Sequence, residues 1–162
     1  MNNIKNIKCI NNTNTNNNTN NNTNNNTTLI SGKVICGKGE GKYYVGLKPY
    51  KEKFIEYLGF EPYNGTLNIY INNSNVNKFK KLINEKNIIK IDDFQYNNKK
   101  YYGLKLKPTL ISDKKNKITI KGAIVIPKKS THSNNILEIL APVKLRNILN
   151  LKNGNLINLN IR

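Results

Sequence analysis

Between Gly37 and Lys42 the chain reads Gly-Lys-Gly-Glu-Gly-Lys, directly after an apolar run. Glycines without Cβ atoms let successive backbone N–H groups approach a phosphate closely, and the lysines between them supply the opposite charge. The same six residues, Gly37, Lys38, Gly39, Glu40, Gly41 and Lys42, also suit a plain turn between two strands. They are not a Walker loop. Gly32 to Lys38 matches G-x4-G-K, but Gly39 stands where a magnesium-binding hydroxyl belongs and the intervening residues are strand-like. Thr66 and Asn68, two apart in Gly65-Thr66-Leu67-Asn68, would face the same way on a strand. A hydroxyl and an amide oxygen side by side are hard ligands of the kind Mg²⁺ takes in small number; the alternative is a pair that satisfies its own turn.

Glu138 is the only carboxylate between Lys114 and Arg162, set in Ile136-Leu137-Glu138-Ile139-Leu140. A lone carboxylate in basic, apolar surroundings can accept a hydroxyl proton, hold a polar ligand, or pair with a lysine. Val143-Lys144-Leu145-Arg146 brings two cations to the start of an expected helix, where anions are favoured, though a solvated helix face has the same pattern. His132, the single histidine, follows an expected strand ending at Pro127 and suits a base, a ligand contact or a structural hydrogen bond equally.

These groups need elements to hold them. Short β-type runs punctuated by turns are expected at Leu29–Cys36, Lys42–Leu47, Thr66–Ile71, Phe94–Tyr96, Tyr101–Leu106, Ile118–Ile126 and Leu156–Ile161, a spacing that suggests a barrel. Asn97-Asn98 reads as a hairpin turn because Asn tolerates positive φ, and Lys152-Asn153-Gly154 reads likewise. Tyr50–Leu58 is expected as a helix with Phe54, Tyr57 and Leu58 on one face and Gly59 ending it in the left-handed conformation. A second helix is expected from Pro142 to Asn150, with Val143, Leu145, Ile148 and Leu149 apolar, and a third over Asn75–Asn84. Residues 1–28, almost wholly Asn and Thr, carry too little apolar surface to offset the entropy of ordering, so a disordered tail is expected there and one folded domain over 29–162.

The 27 Lys and Arg against 9 Asp and Glu give a net charge of +18, which favours polyanionic partners without choosing among them, and part of the Lys and Asn excess fits an AT-rich coding sequence. Two cysteines, Cys9 and Cys36, make a poor disulfide framework and fit a reducing compartment. With no signal-peptide core and no run long enough to cross a bilayer, a cytoplasmic protein is expected. From charge and aromatics alone a basic β-barrel binding nucleic acid is a competing reading, with Tyr43, Tyr44, Tyr101 and Tyr102 as stacking platforms beside Lys99 and Lys100.

Taken in order, G-K-G-E-G-K, then L-G-F-E-P-Y-N-G-T-L-N, then G-A-I-V-I-P-K-K-S-T-H-S, then L-E-I-L-A-P-V-K-L-R and L-K-N-G resemble the archaeal CTP-dependent riboflavin kinases over about residues 29–162. The resemblance implies a mainly β fold, a six-stranded cradle-loop barrel with two or three short helices. It implies transfer of the γ-phosphoryl of CTP to riboflavin with Mg²⁺, giving FMN. It also implies that Gly37–Lys42 and Val143, Lys144, Leu145 and Arg146 bind the nucleotide, Thr66 and Asn68 the metal, and Ser130 and Glu138 the flavin. Ser130 keeps the hydroxyl of the Thr common there, while Asn147 replaces a common acidic residue. The partners so implied are riboflavin and CTP, with no membrane and no nucleic acid, and a monomer is expected.

Overall fold

The computed structural model describes residues 27–84, 87–115, 117–129 and 133–162. All but the last two residues of the expected tail lie outside the described residues, as do Ser130 and His132. The elements are β1 (Thr28–Val34), α1 (Glu40–Gly46), α2 (Lys48–Leu58), β2 (Leu67–Tyr70), α3 (Asn73–Leu82), β3 (Ile89–Ile91), β4 (Phe94–Tyr96), β5 (Lys99–Tyr101), β6 (Leu104–Asp113), β7 (Thr119–Pro127), β8 (Ile136–Leu140), α4 (Leu145–Ile148) and β9 (Leu156–Ile161).

Six of the strands close into an antiparallel barrel in the order β6-β7-β8-β2-β1-β9, with β9 pairing back onto β6. Closure is possible because β6 is long. Its Leu104–Leu106 end pairs with β3, while its Thr109–Asp113 end, on the same edge, pairs with β9. Period-two patterning puts Leu67 and Ile69 of β2, Leu137 and Ile139 of β8, and Ile157, Leu159 and Ile161 of β9 into one core, to which α3 adds Val76, Phe79 and Leu82. A second apolar cluster covers the outer face of β6 and β7, where Tyr50 and Phe54 of α2 and Val45 of α1 meet Leu104, Leu106, Val125 and Leu140.

The register carries one row across four strands on that outer face: Leu106 opposite Val125, Val125 opposite Glu138, Glu138 opposite Asn68. Facing residues in a ladder share a side. The row therefore starts inside the second apolar cluster and ends in a carboxylate and an amide. On the inner face Lys107 stands opposite Ile124 and is fully buried, and its Nζ finds no hydrogen-bond partner among the described residues.

The barrel is as expected, but several elements differ from the expected ones. Lys42–Leu47 is not a strand: Lys42 to Gly46 belong to α1, which begins after Gly39 at φ 85° and buries only Val45, and Leu47 links it to α2. The Tyr-Tyr-Val run favours a strand, yet a closed barrel leaves it no ladder to join, and a helical turn buries its one apolar anchor. Ile136–Leu140, not expected as a strand, is β8. Four helices form among the described residues, where two or three were expected. The second begins at Lys48, and its buried face is Pro49, Tyr50 and Phe54, leaving Tyr57 exposed under the Lys53 ammonium. The expected helix from Pro142 shortens to α4, with Leu145 and Leu149 buried and Ile148 exposed. Asn97 and Asn98 turn the β4–β5 hairpin at φ 48° and 61°, and Gly59 ends α2 at φ 72°, both as expected.

Candidate active site

Thr66 and Asn68 lie at the start of β2 and face one cleft. Thr66 Oγ1 donates to Asn68 Oδ1 at 3.3 Å, so two oxygens converge. Asn68 is buried, its carbonyl accepting the Ile35 N–H at 3.0 Å, which brings the chain leaving β1 against β2. The glycines then let the loop come closer still. A Cβ at Gly37 would sit 3.0 Å from Asn68 Nδ2, and one at Gly41 would overlap Thr66 Oγ1. The glycine spacing is thus explained by what lies beneath it: only a bare backbone fits over this pair.

This cleft, about 500 Å³, is lined by every residue from Gly37 to Lys42 together with Thr66, Asn68, Glu138 and Arg146. Arg146 Nη2 donates to Ile35 O and to Asn153 Oδ1, both at 2.9 Å, joining the end of β1 to the 152–155 turn. That turn is itself fastened to β1, Gly154 N–H donating to Val34 O and Val34 N–H to Asn155 O, each at 2.8 Å. Lys152 and Asn153 also line the cleft. Four cations, Lys38, Lys42, Arg146 and Lys152, therefore surround one concavity, an arrangement suited to a polyphosphate.

A second cavity of about 300 Å³ adjoins the first. Its walls are mostly apolar or aromatic and include Tyr44, Val45, Tyr50, Tyr102, Leu104 and Val125. Burial raises the Tyr50 phenol above its ordinary value, and its hydroxyl donates to Tyr102 O at 2.9 Å. Lys129 Nζ lies 4.0 Å from the Tyr102 ring centroid, and its hydrogen bond to the phenol lowers that group below its ordinary value. Glu40, Gly41, Thr66 and Glu138 line both cavities. A flat aromatic ligand on one side and a phosphate chain on the other would meet at these four residues.

The structure therefore gathers Gly37–Lys42, Thr66, Asn68, Glu138 and Arg146 at one place. It does not bring in Val143, Lys144 and Leu145 equally: Leu145 is buried in the barrel core, Val143 packs against that core, and Lys144 is exposed. The walls of the apolar cavity were missed by sequence reasoning. In the competing nucleic-acid reading Tyr44, Tyr101 and Tyr102 are stacking platforms; in the structure Tyr44 and Tyr102 line the apolar cavity, and Tyr101 packs edge-on to Tyr50 and stacked with Phe94. Interleaved tyrosines and lysines look the same whether they face solvent or a cavity. Among the described residues no group of three or more His, Cys, Asp or Glu side chains could hold a metal ion, and no helix is long and apolar enough to cross a membrane.

Residues 34–161 match the family model CTP-dep_RFKase, described as a domain of unknown function, DUF120. The chain is 50% identical over 133 residues to a riboflavin kinase of Methanococcus aeolicus, covering 80% of this chain and 95% of that one. It is 46% identical over 125 residues to a riboflavin kinase of Methanococcus vannielii, covering 76% and 90%. Against a riboflavin kinase of Archaeoglobus fulgidus it is 39% identical over 132 residues, 82% of this chain and 54% of that longer one.

Proposed function

On the premise that this chain belongs to the archaeal CTP-dependent riboflavin kinase family, we propose that its two adjoining cavities seat the two substrates of one phosphoryl transfer. The chain is a riboflavin kinase, moving the γ-phosphoryl group of CTP to the 5′-hydroxyl of riboflavin to give FMN and CDP. The observation that carries the layout is the shared wall. Glu40, Gly41, Thr66 and Glu138 border both cavities, so a hydroxyl arriving from the apolar side meets a phosphate arriving from the polar side.

In this reading the polar cleft takes CTP. Backbone N–H groups of Gly37–Lys42 and the side chains of Lys38, Lys42, Arg146 and Lys152 face its phosphates. Val143 and Leu145 support Arg146 through the core, and Lys144 contributes charge. The apolar cavity takes the isoalloxazine ring, whose area needs apolar walls with few polar groups among them. Ser130 lies close behind Lys129 in the chain and is assigned to the flavin.

Thr66 and Asn68 fit Mg²⁺. Their two hard oxygens converge at 3.3 Å on the wall of the polar cleft, and an ion that keeps most of its waters needs few protein ligands. When bound there, Mg²⁺ would neutralise phosphate charge. The protein's own work is positioning: phosphoryl transfer needs the acceptor oxygen in line and the charge balanced, and little covalent chemistry from side chains. Glu138, on the shared wall, is assigned as the acceptor of the hydroxyl proton.

The six barrel strands form a closed ring, each with a partner on both sides, which supports a monomer. Cys36, free and exposed, supports a reducing compartment, and we assign the protein to the cytoplasm. The deciding experiment incubates the protein with riboflavin, Mg²⁺ and each of CTP, ATP, GTP and UTP, and separates the products by chromatography. FMN formed with CTP far above ATP is the expected result. FMN formed equally with all four would remove nucleotide selectivity, and none with any donor would remove the reading.

A further inference from the structure

One carboxylate bolts the β4–β5 hairpin to the end of β7. Asp93, immediately before β4, accepts the Gly103 N–H through Oδ1 at 2.8 Å and so closes the base of the hairpin. The Lys128 ammonium reaches both oxygens of that carboxylate at 3.0 Å, and the Lys128 backbone N–H donates to Gly103 O at 3.1 Å. Lys100 Nζ stands 3.7 Å away. A Cβ at Gly103 would overlap Ile91 O, so the strands cross here with no room for a side chain. The Gly103 N–H first, and Lys128 second, hold the Asp93 carboxyl below its ordinary value, keeping it ionised at neutral pH.

What flanks the bolt gives it a role. Tyr102 follows the hairpin and precedes Gly103; Lys129 follows Lys128. The two side chains meet at the mouth of the apolar cavity. The hairpin has a separate anchor on α2, where the Tyr50 ring packs edge-on to Phe94 and Tyr101. Tyr50 thus fixes the hairpin to the helix, while Asp93 fixes its distance from β7.

We propose that Asp93 is a positioning residue for riboflavin: by tying the hairpin to β7 it sets the gap between Tyr102 and Lys129 at which the flavin ring is held. This rests on the assignment of the apolar cavity to riboflavin. Asp93 does not line the apolar cavity and acts through Gly103 and Lys128, which it holds, and the Tyr102 and Lys129 beside them, all four of which do.

The test uses the full chain and steady-state kinetics in both substrates, with riboflavin binding followed by quenching of its fluorescence. Asp93→Ala is expected to raise the riboflavin KM and Kd about five- to tenfold, the effect of losing a partly exposed charge-assisted bond, with kcat and the CTP KM within about twofold. Asp93→Asn, which still accepts the Gly103 N–H, and Lys128→Met, which leaves that bond in place, should fall between wild type and Asp93→Ala. An unchanged riboflavin KM in Asp93→Ala overturns the proposal. So does a fall in kcat with a lowered Tm and both KM values unchanged, the signature of a merely structural residue. If Asp93→Ala fails to fold, Asp93→Asn decides by the same split, since it keeps the Gly103 bond and leaves every cavity-lining residue in place. Tyr44→Ala and Tyr102→Ala test the cavity itself. If they leave riboflavin binding intact, the flavin assignment falls and the proposal with it; if they weaken it while Asp93→Ala does not, only the positioning role falls.

Discussion

Glu138 and Asn68 face each other across the β8–β2 ladder, one at the edge of each proposed task, and single substitutions separate those tasks. Glu138→Gln preserves size and polarity but cannot take a proton, so kcat should fall about 10²-fold or more with the riboflavin KM little changed. The opposite pattern, kcat within a few-fold and a raised riboflavin KM, would make Glu138 a holder of substrate. Asn68→Ala removes one of the two oxygens assigned to Mg²⁺, and the Mg²⁺ concentration for half-maximal rate should rise several-fold; no shift would remove that assignment. Both residues were legible in the sequence as types at a spacing. Their apposition was not, because it comes from strand pairing between segments about 70 positions apart, which no local pattern encodes.

The β4–β5 hairpin and α1 show how unevenly elements can be read from sequence. Asn97-Asn98 predicts its turn because two positive φ values in succession are costly for nearly every other residue. Glu40–Gly46 misleads, because its β-branched and aromatic residues outweigh the weak helical signal until tertiary context removes the strand alternative. β8 is hard to read for a related reason: Ile136–Leu140 is apolar on both sides of Glu138, so the sequence shows no polar–apolar alternation. At this scale acid should loosen the hairpin. Asp93 has a folded value below the ordinary 3.8, so its contribution to stability is present above that pH and is lost as pH falls through the lowered value. An NMR titration should move the Gly103 amide resonance with a midpoint below 3.8, and Asp93→Asn should abolish that step.

For the whole molecule, burial argues that Lys107 costs stability. It lies in the barrel core with 0% exposure, and its Nζ has no hydrogen-bond partner among the described residues. Replacing a buried, unsatisfied amine by an apolar side chain of similar length removes a penalty of about 1–3 kcal/mol. Lys107→Met should therefore raise Tm by at least about 3 °C in a thermal melt, with kcat unchanged, since the residue faces away from both cavities. A lowered Tm would mean that the amine does necessary work in the core. The overall barrel was legible from its closely spaced runs and its family resemblance, whereas Lys107 was invisible as a core residue because lysine is read as surface.

The β1–β9 ladder has a consequence of another kind. Thr28 is the ladder partner of Ile161, so the first and last barrel strands bring their outer ends to within about 5 Å, the spacing of facing residues in an antiparallel pair. The ring then has a cyclic order of strands in which the starting point is arbitrary. Joining Arg162 to Thr27 by a few glycines and opening the chain between Lys114 and Lys115, at the end of the β6–β7 hairpin away from Gly103, leaves every barrel pairing intact. Such a circular permutant should fold and phosphorylate riboflavin at a rate within a few-fold of the parent, because the two cavities depend on which strands are neighbours and not on where the ribbon is cut.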